Sequence, residues 1–263
     1  DVVSISASCF EFSELWILAE YSQMLETEQV GVELFADAMG FGETAYIQEL
    51  FPKVDLGMHC PAKDINLLAD TGSRIWRYTL TRMESTLASC QKLNCPYMVL
   101  HTNVTAQPLT EDPVMLRERG IERIGIIAEL AKRYGVKIWV ENVGTRYRKT
   151  LLYTYRDYID LFRQIPQIDA LIDVGHAHIN GWDIPALIRT LGPRLKGLHV
   201  HDNFGVRDVH IRIGSGSVDF EPIKEAVGEL QEAPNLIVEY LMPSCDNVPA
   251  ILEDCRKLAE WHS

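Results

Sequence analysis

The sequence predicts an α/β protein built as a single (β/α)8 barrel, the TIM-barrel architecture, over residues 1–263. Three observations carry that expectation. Strand-like and helix-like segments alternate along the whole chain, and the strand-like ones are short runs rich in Val, Ile and Leu, as suits strands buried on both faces of a parallel sheet. At 263 residues the chain is long for an ordinary domain but normal for such a barrel. A charged or imidazole residue also stands at or near the end of seven of the eight expected strands, the edge where these barrels place their chemistry.

The elements follow in order. A β-branched run over Val2–Ser8 gives the first strand, and a helical pattern covers Phe12–Glu28. Val30–Phe35 and Val54–Cys60 are the second and third strands, with a helix over Glu43–Leu50 between them. A long amphipathic stretch, Thr71–Leu93, spaces Ile75, Tyr78, Leu80, Met83, Leu87 and Cys90 three to four apart. Tyr97–Thr102 is the fourth strand, and the helix over Pro113–Tyr134 is stopped by Gly135. The remaining strands are Lys137–Asn142, Ala170–Asp173, Leu195–Asp202 and Leu236–Tyr240. One helix begins near Asp219 and the last covers Val248–Trp261, which makes eight strands and eight helices in strict alternation.

Composition narrows the function classes. Hydrophobic residues make up 47% and charged residues 24% of the chain, the balance of a globular protein with a sizeable core. No apolar run reaches the roughly 18 residues of a membrane span, and no basic-then-apolar signal opens the chain. The chain starts at Asp1 rather than Met, which leaves processing at that end open. Cysteines 9, 60, 90, 95, 245 and 255 form no CxxC pair, so reduced thiols in a cytoplasmic protein are expected. A formal net charge of −12 argues against a nucleic-acid binder, which needs a basic face for phosphates.

The densest chemistry lies in Leu195–Phe220. His199, His201, Asp202, Asp208 and His210 fall within twelve residues there, followed by the tight Gly214-Ser-Gly216 loop. Imidazole nitrogen and carboxylate oxygen are ligands for zinc, manganese, cobalt or ferrous iron. Other strand ends add His59, His101, Glu141, Asp173 with His176, and Glu239. Buried carboxylates are costly unless paired or metal-bound, so these ends point to a metal site. Glu33, inside the second strand, reads equally well as half of a salt bridge within the barrel.

With these residues in place, the chain resembles the xylose-isomerase-like barrel superfamily, which holds sugar (or sugar-phosphate) isomerases and epimerases as well as endonuclease IV. The resemblance covers nearly the full length. It rests on His59-Cys-Pro61, Glu141-Asn142, Asp173-Val-Gly-His176, His199-Val-His-Asp202, Asp208-Val-His210, Gly214-Ser-Gly216 and Glu239. In the isomerase and epimerase branch it implies one divalent ion (Mn, Zn, Co or Fe) on Glu141, Asp173, His199 and Glu239. His201 has the same strand parity as His199; His199 is preferred because it precedes Asp202 by three residues. The resemblance further implies proton transfer through a metal-stabilised enediolate, with Glu141 and Glu239 as base and acid and His176 on a substrate oxygen. In the endonuclease branch, up to three zinc ions are held by residues matching His59, His101, Glu141, Asp173, His176, His199, Asp208, His210 and Glu239, all present here.

Acidity favours the sugar branch. Residues 36–44 and 61–70 carry Lys63 against Asp37, Glu43, Asp64 and Asp70, where a duplex-gripping enzyme needs cations. Arg146, Arg148 and Lys149 form the densest basic cluster, and Arg207 and Arg212 flank the histidine-rich stretch. They are solvated surface or a grip on an anionic end of the substrate, with Arg146, Arg148 and Arg207 the candidates for that grip. Tyr147 stands where the epimerase branch often has a glutamate, a departure that counts against the ketohexose epimerase specificity the resemblance would otherwise imply. Trp139, Trp182, Phe10 and Phe41 are candidates for stacking on sugar carbons, although core packing is the commoner use of such residues. The expected partners are a small-molecule sugar and, since such barrels often associate, a second copy of the chain; neither nucleic acid nor membrane is expected. A non-catalytic sugar-binding barrel is the remaining alternative.

Overall fold

Eight parallel strands close on themselves in sequence order, with the eighth paired to the first. The computed structural model describes residues 3–40 and 43–262; Val2 of the expected first strand and Phe41 lie outside them. The strands are β1 Val3–Ser6, β2 Val30–Phe35, β3 Leu56–His59, β4 Tyr97–His101, β5 Lys137–Glu141, β6 Asp169–Asp173, β7 Leu195–Val200 and β8 Asn235–Val238. The helices among the described residues are α1 Leu15–Ala19, α2 Ser22–Glu28, α3 Thr44–Leu50, α4 Arg74–Leu93, α5 Pro113–Arg133, α6 Tyr155–Gln164, α7 Val174–Ile179, α8 Ile184–Leu191, α9 Phe220–Gly228 and α10 Val248–Ala259. None of them is long and apolar enough to cross a membrane.

Strict one-to-one alternation is therefore corrected in two places. The segment expected as one helix over Phe12–Glu28 leaves the helical ladder at Glu20 and Tyr21 and restarts as α2. The short helix α7 begins directly after β6, because the Asp173 side chain caps it by accepting the His176 backbone N–H at 2.7 Å. Other helix starts follow local chemistry: Ser73 caps α4, Asp112 with Pro113 opens α5, and Thr154 with Asp157 makes a capping box on α6.

Apolar side chains fill two regions. The larger lies between the strands and the helical ring, and a smaller cluster of Tyr97, Val99, Leu171 and Ile237 with Trp139 is set apart from it. Tyr97 and Trp139 stack there with ring centroids 3.6 Å apart. Their strands alternate side chains across the sheet, so residues two further on, Val99 then His101 and Glu141, share their face and rise to the strand ends. Trp139, Trp182 and Phe10 all pack among core side chains.

Two devices hold the strands, one near those ends and one below. The buried Tyr158 hydroxyl of α6 lies 2.8 Å from the Val140 carbonyl and 2.7 Å from that of Leu171, pinning the helix between β5 and β6 just before Glu141 and Asp173. Gly57 of β3 passes beneath the Tyr97 ring, where an added Cβ would meet the Tyr97 hydroxyl oxygen at 2.2 Å. Since Tyr97 is itself clamped by Trp139 and by a hydrogen bond to Glu33, it has nowhere to retreat. Gly57→Ala should lower the unfolding free energy by about 1–3 kcal/mol, the usual cost of overpacking, measurable by urea titration.

Candidate metal centre

Six strand ends deliver the polar side chains to one place. His59, His101, Glu141 and Asp173 are the last residues of their strands, His199 is next to last in β7, and Glu239 directly follows β8. Asp173 and His199 are also register partners across β6 and β7. Glu141 lies at the middle. Its Oε2 is 3.0 Å from His101 Nε2, 3.4 Å from His59 Nε2 and 3.7 Å from His199 Nδ1, and its Oε1 is 3.4 Å from His176 Nδ1.

His199 is held from below. Its Nε2 donates to Glu33 Oε1 at 2.8 Å, and the Tyr97 hydroxyl donates to Glu33 Oε2 at 2.9 Å. That pairing turns His199 Nδ1 toward the cluster, where it lies 3.4 Å from Glu239 Oε2 and 3.9 Å from Asp173 Oδ2. This buried nitrogen makes no hydrogen bond. Glu33, ambiguous in the sequence, is thus both an internal ion-pair partner and the group that orients a site histidine. Asn142 fixes its neighbour in a similar way: its side chain accepts from the Asp173 N–H at 2.7 Å and donates to the Asp173 carbonyl at 3.1 Å.

His201 is used differently from His199. Its Nε2 faces both oxygens of Asp173 at 3.1 and 3.0 Å, and its ring stacks on His210 with centroids 3.7 Å apart. His176 and His210 both converge on Asp208 Oδ2, at 2.9 and 3.1 Å. The structure therefore brings potential ligand atoms together in overlapping groups: His59, His101 and Glu141; Glu141, Asp173 and His199; His199 and Glu239 with Glu33; His201, His210 and Glu239; His176, Asp208 and His210.

The close packing of opposite charges shifts the titrations. Burial pushes the Glu141 carboxyl up, but the charge and hydrogen bond of His101, with help from His176 and His199, carry it well below the ordinary carboxylate range. Asp173 moves down in the same way against burial, through His176 and His201. Burial opposes a charge on His199, yet Glu239, Glu33 and Glu141 together raise it well above a normal imidazole. For His210, burial is likewise outweighed, by Asp208 and Glu239, and the imidazole is raised to about 9.

Asp202 proves to be an anchor. Its buried carboxylate accepts the backbone N–H groups of Asn203, Gly214, Gly216 and Val218 at 2.8–3.1 Å, folding the loop that carries Asp208 and His210 back over β7. A Cβ at Gly216 would meet Asp202 Oδ1 at 2.3 Å, so that turn admits only glycine without rearrangement. His210 takes a left-handed conformation, φ 45°, unusual for a non-glycine residue and of the kind that collects at functional sites. Arg212 ties the far end of the loop to α10 through Asp254 at 2.7 and 3.0 Å, with the Tyr240 hydroxyl on the same carboxylate. Its guanidinium is thereby committed to that anchor. Arg146, Arg148 and Arg207 are exposed, and their side chains make no hydrogen bond or ion pair among the described residues. Tyr147 between the first two is 59% exposed. The anchoring roles of Asp202 and Arg212, and the support from Tyr97, were not apparent from the sequence, because each depends on a partner brought in by the fold.

The chain as a whole has relatives among known proteins. A family model for the xylose isomerase-like TIM barrel matches residues 31–261. An uncharacterized protein of Methanocaldococcus jannaschii is 24% identical over 191 residues, 70% of this chain and 64% of that protein, so the chain spans just under two thirds of that relative. Among solved structures, a D-tagatose 3-epimerase-like protein superposes with a TM-score of 0.81 at 19% identity, over 99% of this chain and 98% of the other. The IOLI protein, solved with a bound zinc atom, superposes with a TM-score of 0.75 at 15% identity, over 100% and 98% of the two chains.

Asp202→Asn should place an amide donor against backbone N–H groups and remove the charge they solvate. An unfolding free energy lower by about 2–3 kcal/mol is expected from chemical denaturation, although the Asp202 carboxylate faces the loop rather than the cluster.

Proposed function

The chain belongs to the xylose isomerase-like TIM-barrel family, and from that premise we propose that it is a divalent-metal-dependent sugar isomerase or epimerase. Its substrate on this reading is a sugar, sugar phosphate or sugar acid. The observation that carries the metal is His199 Nδ1: buried, aimed into the cluster, without a hydrogen bond, and 3.4–3.9 Å from oxygens of Glu239, Glu141 and Asp173. A mixed set of imidazole nitrogen and carboxylate oxygen suits manganese, zinc, cobalt or ferrous iron. Glu141, Asp173, His199 and Glu239 would hold the ion.

When bound, the ion supplies Lewis-acid polarisation of a substrate carbonyl. The chain's own residues then divide the work. Glu141 and Glu239 remove and return the proton on the carbon beside that carbonyl; one face to the other gives epimerisation, and return to the neighbouring carbon gives isomerisation. His176 keeps its ring in place through Nδ1 on the Asn142 carbonyl at 3.0 Å, and its Nε2, which meets Asp208 at 2.9 Å, exchanges that partner for a substrate oxygen. Glu33 keeps His199 in the tautomer that presents Nδ1. Arg146, Arg148 and Arg207 are free to meet an anionic end of the substrate.

A second reading has its own support. The groups His59, His101 and Glu141, and His176, Asp208 and His210, each gather ligand-type atoms as closely as the group around His199 does. Three zinc ions and hydrolysis of an abasic duplex follow from that reading. The net charge of −12 counts against it, since a duplex would meet an acidic surface.

Elemental analysis of protein purified without added metal separates the two. About one divalent ion per chain, lost in Glu141→Gln and kept in His210→Ala, is the expected result. About three zinc ions, reduced by both substitutions, would put the nuclease first, and no metal even after reconstitution would sink both readings. Glu33→Gln should weaken metal binding by about 10–100-fold in a calorimetric titration, as loss of an orienting partner usually does. In the metal-loaded protein, Glu239→Gln should slow solvent deuterium uptake into a substrate sugar by about 100-fold or more, with the ion retained more weakly.

A further inference from the structure

His101 faces two ways. One side meets Glu141; the other forms the inner end of a cavity of about 250 Å³ between the loops that follow β2, β3 and β4. Outward from it lies a second cavity of about 650 Å³, between the loops after β3 and β4. The two share Ala62, Lys63, Ile65, Asn103, Val104 and Ala106 as walls, so they are compartments of one cleft that begins at the carboxylate–imidazole cluster. Its far end is reached at Ile75 of α4 and Leu116 of α5. A monosaccharide reacting at the cluster would leave the outer compartment empty. Yet that compartment falls within the roughly 300–1,000 Å³ range of small-molecule sites.

The lining identifies the chemistry of an occupant. Charges along the cleft are largely cancelled by neighbours. Asp37 lies 3.8 Å from Arg82 and accepts the Ala62 and Lys63 backbone N–H groups at 2.9 and 2.8 Å, and Glu111 lies 3.6 Å from Arg119. Lys63 and Asp64 remain and offset each other. No guanidinium fork lines the cleft, as a tight grip on phosphate or carboxylate requires. What remains is a mixture of aliphatic walls, Ile65, Leu68, Val104 and Leu109, with the neutral hydrogen-bonding groups of Asn66, Gln107 and Thr110. Aliphatic walls match the C–H faces of a pyranose ring, and amide and hydroxyl groups match its rim of hydroxyls.

We infer that the cleft between the loops after β3 and β4 binds a neutral glycosyl substituent, so that the substrate is a glycosylated sugar rather than a free monosaccharide. The inference rests on the sugar-isomerase or epimerase reading of the cluster, whose reacting sugar would sit inward of His101.

Equilibrium binding to the metal-loaded protein tests it, with fructose as the bare ketose and isomaltulose, turanose and leucrose as glucosyl-fructoses of differing linkage. At least one disaccharide should bind about tenfold or more tightly than fructose. Ala106→Trp, on an exposed stretch shared by both compartments, should cancel that advantage and leave fructose binding within about twofold. Gln107→Ala and Thr110→Ala remove polar groups of the outer compartment only, with little risk to folding, and should lower disaccharide affinity while sparing fructose. Disaccharides that bind no better than fructose in the parent protein, or an advantage untouched by all three substitutions, would overturn the inference. Failure of all four sugars to bind would instead count against the sugar reading of the cluster itself, and the inference would fall with it.

Discussion

Four carboxylates, Glu33, Glu141, Asp173 and Glu239, are buried together at one end of the barrel, and much of the surrounding architecture answers that constraint. An anion taken out of water without a partner costs several kcal/mol, so each must be met by a proton, a cation or a dense set of hydrogen bonds. Histidines meet them here, from the ends of β3, β4, β6 and β7 and from the loop that follows β7. The downward shift of Glu141 and Asp173 and the upward shift of His59, His176 and His199 are two views of this mutual neutralisation. The arrangement is balanced but incomplete, since His199 Nδ1 and His201 Nδ1 both lack hydrogen bonds.

The barrel makes this arrangement by alternation along its strands. Side chains two apart share a face, so a strand that contributes Tyr97 and Val99 low down contributes His101 at its end, and Trp139 is followed by Glu141. Apolar packing among Tyr97, Trp139, Leu171 and Ile237 closes the lower part and excludes water beneath the ionic layer. Glu33 and Tyr97 join the two levels, because the phenol that fills the lumen also hydrogen-bonds the carboxylate that steers His199. Stability and chemistry therefore share residues at this boundary.

Much of this was legible in the sequence. The eight strands were visible because doubly buried strands leave uninterrupted Val, Ile and Leu runs, and the polar ends stood out against them. β2 matches its expected range residue for residue, and the other strand boundaries move by at most two positions. The break between α1 and α2, which no proline or glycine marks, and the immediate start of α7, set by the Asp173 cap, were not visible. Partners distant in sequence were hidden too: Arg212 with Asp254, Glu33 with His199, and Tyr158 with two strands. A pattern read along one dimension identifies which residues can bear charge, and only the closed barrel determines which charge faces which.

The segment between Asp202 and Arg212 carries a further meaning. Asp202 secures one end by gathering backbone N–H groups, and Arg212 secures the other through Asp254. Between these anchorages Asp208 and His210 project toward the cluster, while Phe204, Val206 and Arg207 project outward. The outward residues can be exchanged without disturbing either anchorage, so what meets solvent at the rim is separable from the ionic floor beneath it.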